Sequence, residues 1–183
     1  AHLHDSVLQT LALIQRNASD PRTVSRLARA QERDLRSWLY AEESTDESSL
    51  AGALRVVAAE IEDAHGISVD VVTVGDVDLV DELRPIVAAT RESLTNAALH
   101  AGVPRVDVYA EIDASGVEVY VRDRGRGFVL ARTPEDRYGV RHSIIDRMQR
   151  HGGHAEIRTA PEEGTEVRLR LSIRHRAEGG RDA

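Results

Sequence analysis

Three groups of residues have the types and spacing to do chemistry. The first is Glu92, Asn96 and His100, inside the run Arg91–Ala101. Steps of four put all three on one helical stripe, beside an apolar stripe of Ile86, Val87, Thr90, Leu94 and Ala97. Asn is a poor helix former in mid-helix, so its presence there asks for a reason. Its carboxamide oxygen suits a hard cation such as Mg2+ that also holds phosphates. Taken alone, such a triplet is more often an ordinary solvated face. The second group is Asp123-Arg124-Gly125-Arg126-Gly127-Phe128, directly after a strand pattern. Glycines at alternate positions let backbone approach a flat ligand or a phosphate closely. An Asp before them can accept a hydrogen bond from an exocyclic amine such as that of adenine, and a base lacking that donor would leave it unpaired. A Gly-rich turn leaving a strand is the plain alternative. The third group is Tyr138-Gly139-Val140, read as opening a helix, with Gly152-Gly153 closing it and Gly164-Thr165 in the last hairpin. A glycine at a helix start exposes N–H groups suited to phosphate.

The elements that must position these residues fall into two halves. Leu3, Val7, Leu11, Ile14 and Ala18 form one helical stripe, and Val24, Leu27, Ala28, Gln31, Leu35 and Trp38 form another. Asp20-Pro21 between them caps the second helix, and so short a turn makes the pair antiparallel. Two helices cannot bury their stripes alone. A second copy, giving a four-helix bundle across a two-fold axis, is the simplest cover, and docking on the rest of the chain is the alternative. The polar run 44–49 reads as a linker. Beyond it, Leu50–Ala64 and Asp81–Ala101 are predicted helices, and Val69, Val71 and Thr73 alternate as a strand. Arg105–Asp113 and the strand from Val117 form a hairpin, Gly139–His151 a helix, and Ala155–Ile173 a second hairpin. The fold class is therefore α+β, with a helix layer on one face of a mostly antiparallel sheet. Phe128–Tyr138 is expected to form a mobile lid. The divisions are 1–43 for the helical pair, 44–49 for the linker, 50–173 for the α/β part and 174–183 for a frayed tail.

Composition narrows the partners. Of 183 residues, 24 are Lys or Arg and 31 Asp or Glu, a net charge of −7 that argues against nucleic acid as a direct partner. The absence of cysteine excludes disulfides, thiolate zinc sites and cysteine nucleophiles. No apolar run reaches the ~20 residues of a membrane span. The expected location is the cytoplasm.

The order of the motifs is more specific than any of them. A helix with Glu92-x-x-x-Asn96-x-x-x-His100, a hairpin, Asp123-x-Gly125-x-Gly127-Phe128, a lid, a Gly139 helix and a Gly164-Thr165 strand resemble the ATP-binding domain shared by histidine kinases, gyrase, heat-shock chaperones and MutL. The resemblance covers about Leu50 to Ile173 and implies an α/β sandwich. In it Asn96 would coordinate Mg2+, Asp123 would read adenine, and Gly125 and Gly127 would shape the pocket. Gly139 and Val140 would face the phosphates, His100 would line the site, and Thr165 would lie near the base or its water.

The N-terminal segment Leu3-His4-Asp5-Ser6-Val7-Leu8-Gln9 is similar to the His-Asp-x-x-x-Gln segment of sensor histidine kinases that partner NarL-type response regulators. Chemically the grouping fits phosphoryl acceptance. A neutral imidazole is a nucleophile at cellular pH, and a neighbouring carboxylate can fix its tautomer or take its proton. The resemblance implies autophosphorylation of His4 from ATP with Asp5 as base and Glu92 as a weaker second candidate. Transfer to a regulator aspartate would follow, with phosphatase activity through Gln9. It also implies a homodimer, and a longer sensor whose input region and membrane anchor lie upstream. Two positions depart from the pattern: Leu99 stands where such kinases often carry Lys, and Arg137 where a glycine is expected. Phosphate charge would then fall to His100, Arg124, Arg126 or Arg137. The rival readings are an ATPase or serine kinase using the same pocket without His4, and a dimerisation module with a vestigial nucleotide pocket.

Overall fold

The computed structural model describes residues 2–25, 27–28, 31–32, 48–113, 115–129 and 135–173, and for residues 2–6, 9 and 135–142 the backbone alone. The first helix, α1, spans His2–Arg16. Asp20 then caps the helical residues that resume at Pro21. Its Oδ1 accepts from the Arg22 and Thr23 N–H groups at 3.1 and 3.4 Å, and its Oδ2 from the Thr23 hydroxyl at 2.7 Å. The expected cap is present. Leu8, Leu11 and Leu13 of α1 are exposed. The expected four-helix bundle requires a second copy, and Leu35, Trp38 and the linker up to Glu47 lie outside the described residues.

From Ser48 the chain builds one layer of helices on one sheet. Helix α2 (Leu50–His65) starts where the Ser49 hydroxyl accepts from the Gly52 N–H at 3.1 Å, and ends at Gly66, φ 72°, whose N–H bonds the Glu62 carbonyl. Strand β1 is Ser68–Val74. The predicted helix at Asp81 begins as a 3-10 turn, Asp81–Leu83, and becomes α3 at Arg84–His100, with Pro85 in the first turn where its missing N–H costs nothing. Strands β2 (Arg105–Asp113) and β3 (Gly116–Asp123) form the first hairpin. Helix α4 is Glu135–Arg150, and β4 (His154–Ala160) with β5 (Gly164–Ser172) forms the second hairpin. Gly153 closes α4 with an N–H bond to the Met148 carbonyl at 2.8 Å.

The strand order is β1-β2-β3-β5-β4, with β1 parallel to β2 and the other pairs antiparallel. The sheet is thus mixed, as a mostly antiparallel reading allows, because the α3 crossover brings β2 back alongside β1 in the same direction. Alternation along β2, β3 and β5 sends Val106, Val108, Val119, Val121 and Leu169 into the core against α2, α3 and α4. Leu50, Leu54, Ile86, Leu94, Ile144 and Met148 meet them from the helices, each almost fully buried. Among the described residues no helix is long and apolar enough to cross a membrane.

Two expectations need correction. Helix α4 starts at Glu135, so the stretch expected as a lid from Phe128 to Tyr138 loses its last four residues to the helix. Gly139 accordingly is the fifth helical residue and does not open the helix. The physical reason is in Pro134-Glu135-Asp136, a proline followed by acids, which favours a helix start four residues before the glycine.

Candidate functional site

The C-terminal half of α3 and the inner face of the sheet do not close completely on each other. Between them lies a crevice of about 740 Å3, counting its open mouth. Its floor follows from strand register. Asp123 on β3 stands opposite Thr165 on β5, both in the floor, and the polar row runs on across β5 to Thr159 on β4, just outside it. Two residues along each strand, on the same face, Val121, Val167 and Ile157 form an apolar row in register. Helix α3 supplies Asn96 and His100, α4 supplies Ile144, and the segment after β3 supplies Gly127 and Phe128.

Asp123 is 5% exposed, and its burial pushes the carboxyl above the ordinary carboxylate range. The Gly125 N–H, at 2.9 Å from Oδ1, and the Thr165 N–H act in the opposite direction by holding the charged form. An acceptor-only group in an apolar slot offers recognition to a ligand that brings a hydrogen.

The two glycines also let the chain pack closely on itself. A Cβ on Gly125 would fall 2.3 Å from the Ala101 carbonyl oxygen, and one on Gly127 (φ 55°) 1.9 Å from the Ala160 carbonyl oxygen. The close approach they permit is therefore between the chain's own segments. The loop is pinned on one side by the Arg126 N–H to the Ala101 carbonyl at 3.1 Å, and on the other by the Glu162 N–H to the Arg126 carbonyl at 2.7 Å. Gly127 also lines the crevice, whereas Gly125 serves it through its N–H on Asp123.

Of the residues singled out from sequence, Asn96, His100, Asp123, Gly127 and Thr165 meet at this crevice. Glu92, one turn before Asn96, does not line it. Its Oε2 accepts from the Ser143 hydroxyl at 3.2 Å and pairs with Arg147 Nη2 at 3.4 Å, bracing α3 against α4. Gly139 and Val140 lie on the backbone of α4, and Val140's side chain is outside the described residues. His4, Asp5 and Gln9 share α1, the last being five residues beyond His4, and their side chains also lie outside the described residues. Arg137 belongs to the same undescribed group, and Leu99 is 59% exposed. Among the described residues no cluster of three or more His, Asp or Glu is placed to hold a metal by itself. Sequence reasoning missed the apolar walls and Thr159. The signal for Val121 and Val167 was available, since each lies two residues from a polar residue already singled out on the same strand face.

Similarity searches agree with this geometry. Residues 81–175, just over half of the chain, match the family of histidine kinase-, DNA gyrase B- and HSP90-like ATPases. The sensor histidine kinase LiaS of Bacillus subtilis (strain 168) is 29% identical over 83 residues, covering 45% of this chain and 23% of LiaS. The chain thus spans about a quarter of that relative's length. Among solved structures, the ATP binding domain of PrrB from Mycobacterium tuberculosis is similar with a TM-score of 0.53 and 23% identity, over 68% of this chain and 93% of that one. The histidine kinase domain of the Erythrobacter litoralis EL346 blue-light activated histidine kinase is similar with a TM-score of 0.53 and 17% identity, over 93% and 92% of the two chains. These structural likenesses speak for the fold. With the matched segment running from the 3-10 turn through α3, the crevice and the last hairpin, the chain belongs to the histidine kinase-, DNA gyrase B- and HSP90-like ATPase family.

Proposed function

We propose that this chain is the catalytic core of a sensor histidine kinase, binding ATP with Mg2+ and phosphorylating its own His4. The observation that carries the nucleotide half is a buried Asp123 opening onto an apolar slot that also holds Asn96. The slot accepts a flat purine between Val121, Ile157 and Val167 on one side and the α3 and α4 residues on the other. Asp123 takes a hydrogen of the exocyclic amine, and a base with a carbonyl in that place is penalised by two facing acceptors.

The donor set fits Mg2+ held largely by phosphates, because Mg2+ keeps several waters and takes few protein ligands. Asn96 offers one carboxamide oxygen at the crevice, and a dedicated carboxylate cage is not needed. Such an ion, when bound, neutralises charge on the phosphates. The chain's own work is alignment, which is most of what phosphoryl transfer requires. His100 lines the same crevice and offers a polar ring where Leu99 offers none.

The acceptor half rests on the resemblance of the His4-Asp5-x-x-x-Gln9 segment. His4 takes the γ-phosphoryl on a ring nitrogen while Asp5 fixes the tautomer or takes the proton, and Gln9 orients water for dephosphorylation. Glu92, committed to Ser143 and Arg147, is better suited to positioning α3 and α4 than to serving as base. The phosphoryl then passes to an aspartate of a response regulator, of NarL type on the same resemblance. A second copy covers the exposed leucines of α1 and completes a four-helix bundle, and any membrane anchor belongs to an upstream sensor region. Incubation with γ-labelled ATP tests the proposal. Acid-labile, base-stable label that disappears in His4→Gln is the expected result; the same label surviving that substitution overturns His4 as the acceptor, and acid-stable, base-labile label transfers the assignment to a serine kinase.

A further inference from the structure

Thr159 stands at the far end of the polar row and does not itself line the crevice. Its Oγ1 has three neighbours: the Gly164 carbonyl oxygen at 2.8 Å, the Phe128 backbone nitrogen at 3.1 Å and Thr165 Oγ1 at 3.2 Å. A hydroxyl carries one hydrogen and two lone pairs. A carbonyl only accepts, so the Thr159 hydrogen goes to Gly164. An amide N–H only donates, so Phe128 occupies one lone pair. What remains for Thr165 is the second lone pair, and Thr165 must therefore be the donor in that contact. With its hydrogen spent on Thr159, Thr165 turns lone pairs toward the crevice it lines. Beside it Asp123, which already accepts from the Gly125 N–H at 2.9 Å and from the Thr165 N–H, presents further acceptor oxygen.

We propose that Thr159 is a specificity-determining positioning residue, which locks Thr165 as an acceptor and so makes the crevice floor select a purine bearing an exocyclic amine over one bearing a carbonyl. The inference rests on the nucleotide reading above and adds to it a residue outside the site that sets the hydrogen polarity within it. A ligand amine brings hydrogens to the row, whereas a carbonyl oxygen at the same place meets lone pairs on both sides. Without the Thr159 hydroxyl, Thr165 is free to rotate and donate its hydrogen to that carbonyl, and discrimination falls.

Titration with Mg2+–ATP and Mg2+–ITP, which differ in an amine or a carbonyl at one ring carbon and in an acceptor or an N–H at the ring nitrogen beside it, tests this on the whole chain. The wild-type protein is expected to prefer ATP, and Thr159→Val to shrink the ATP-to-ITP affinity ratio by about tenfold. Thr159→Ser, which keeps the hydroxyl, retains the wild-type ratio. Thr165→Val alone shrinks the ratio to a similar extent, and adding Thr159→Val to it shrinks the ratio no further. A wild-type ratio in either Thr159→Val or Thr165→Val, or additive losses in the double variant, overturns the inference while leaving the nucleotide reading standing. Failure of the wild-type chain to bind ATP overturns the nucleotide reading itself, and the inference with it.

Discussion

A carboxylate held in an apolar crevice lowers the stability of the unliganded protein and raises its selectivity for a hydrogen-bearing ligand. Asp123 is such a group: burial raises its pKa, and only the Gly125 and Thr165 N–H groups oppose that. The residue type and its neighbours were legible in the sequence, because Asp-x-Gly-x-Gly-Phe is a compact local pattern. What the two glycines do was not legible, since it depends on the Ala101 and Ala160 carbonyls brought in from elsewhere in the chain. The same distances make a prediction. Gly127→Ala should destabilise the fold by roughly 2–4 kcal/mol through backbone strain and displacement, visible as a lowered urea midpoint in the absence of any nucleotide. A wild-type midpoint, with only ligand affinity reduced, would restore the view that Gly127 exists to admit the ligand.

At the scale of elements, the inner face of the sheet was readable and the outer face was not. Val106, Val108, Val119 and Val121 alternate strictly, and the structure buries all four. On the opposite face Glu118 of β3 gathers the Arg168 guanidinium, Arg170 Nε at 2.9 Å and the Tyr120 hydroxyl at 2.9 Å. Arg168 also lies over the Tyr120 ring, 5.3 Å from its centroid. Nothing local in the sequence joins Glu118 to residues fifty positions away; only the β3–β5 register does. Chiefly through Arg168, the cluster lowers the Glu118 carboxyl from 4.5 to about 2. A depressed carboxylate pKa contributes stability that is complete above the unfolded value and is lost as pH falls through the folded one. Glu118→Gln should therefore cost roughly 1–2 kcal/mol near neutral pH, a modest figure because the group is partly exposed and screened. The difference from wild type should vanish between pH 4.5 and about 2. Denaturant titrations at several pH values check this, and a gap that persists unchanged at the acid end would refute it. The start of α4 lies four residues before the glycine expected to open it, at the Pro134-Glu135-Asp136 start signal.

At the scale of the whole molecule, the helix that bears His4 exposes apolar surface. Leu8 and Leu11 are 62% and 48% exposed. Covering what each of these half-exposed leucines still shows to water is worth roughly 1–1.5 kcal/mol, which is the driving force for the proposed symmetric pairing through α1. In the proposed homodimer, Leu11→Glu should shift the chain toward monomer by light scattering at fixed concentration, leaving ATP affinity unaltered because none of the described residues lining the crevice comes from α1. An unchanged dimer would mean that the two copies meet elsewhere. The most direct measurement of the central claim is calorimetric titration of Mg2+–ATP into the wild-type chain and Asp123→Asn, with thermal unfolding of each recorded alongside. The account predicts saturable binding to wild type, at least a tenfold loss of affinity in the variant (about 1.4 kcal/mol or more), and an unfolding midpoint in the variant that is equal or higher because a buried charge has been removed. Equal affinity in the two proteins would contradict it.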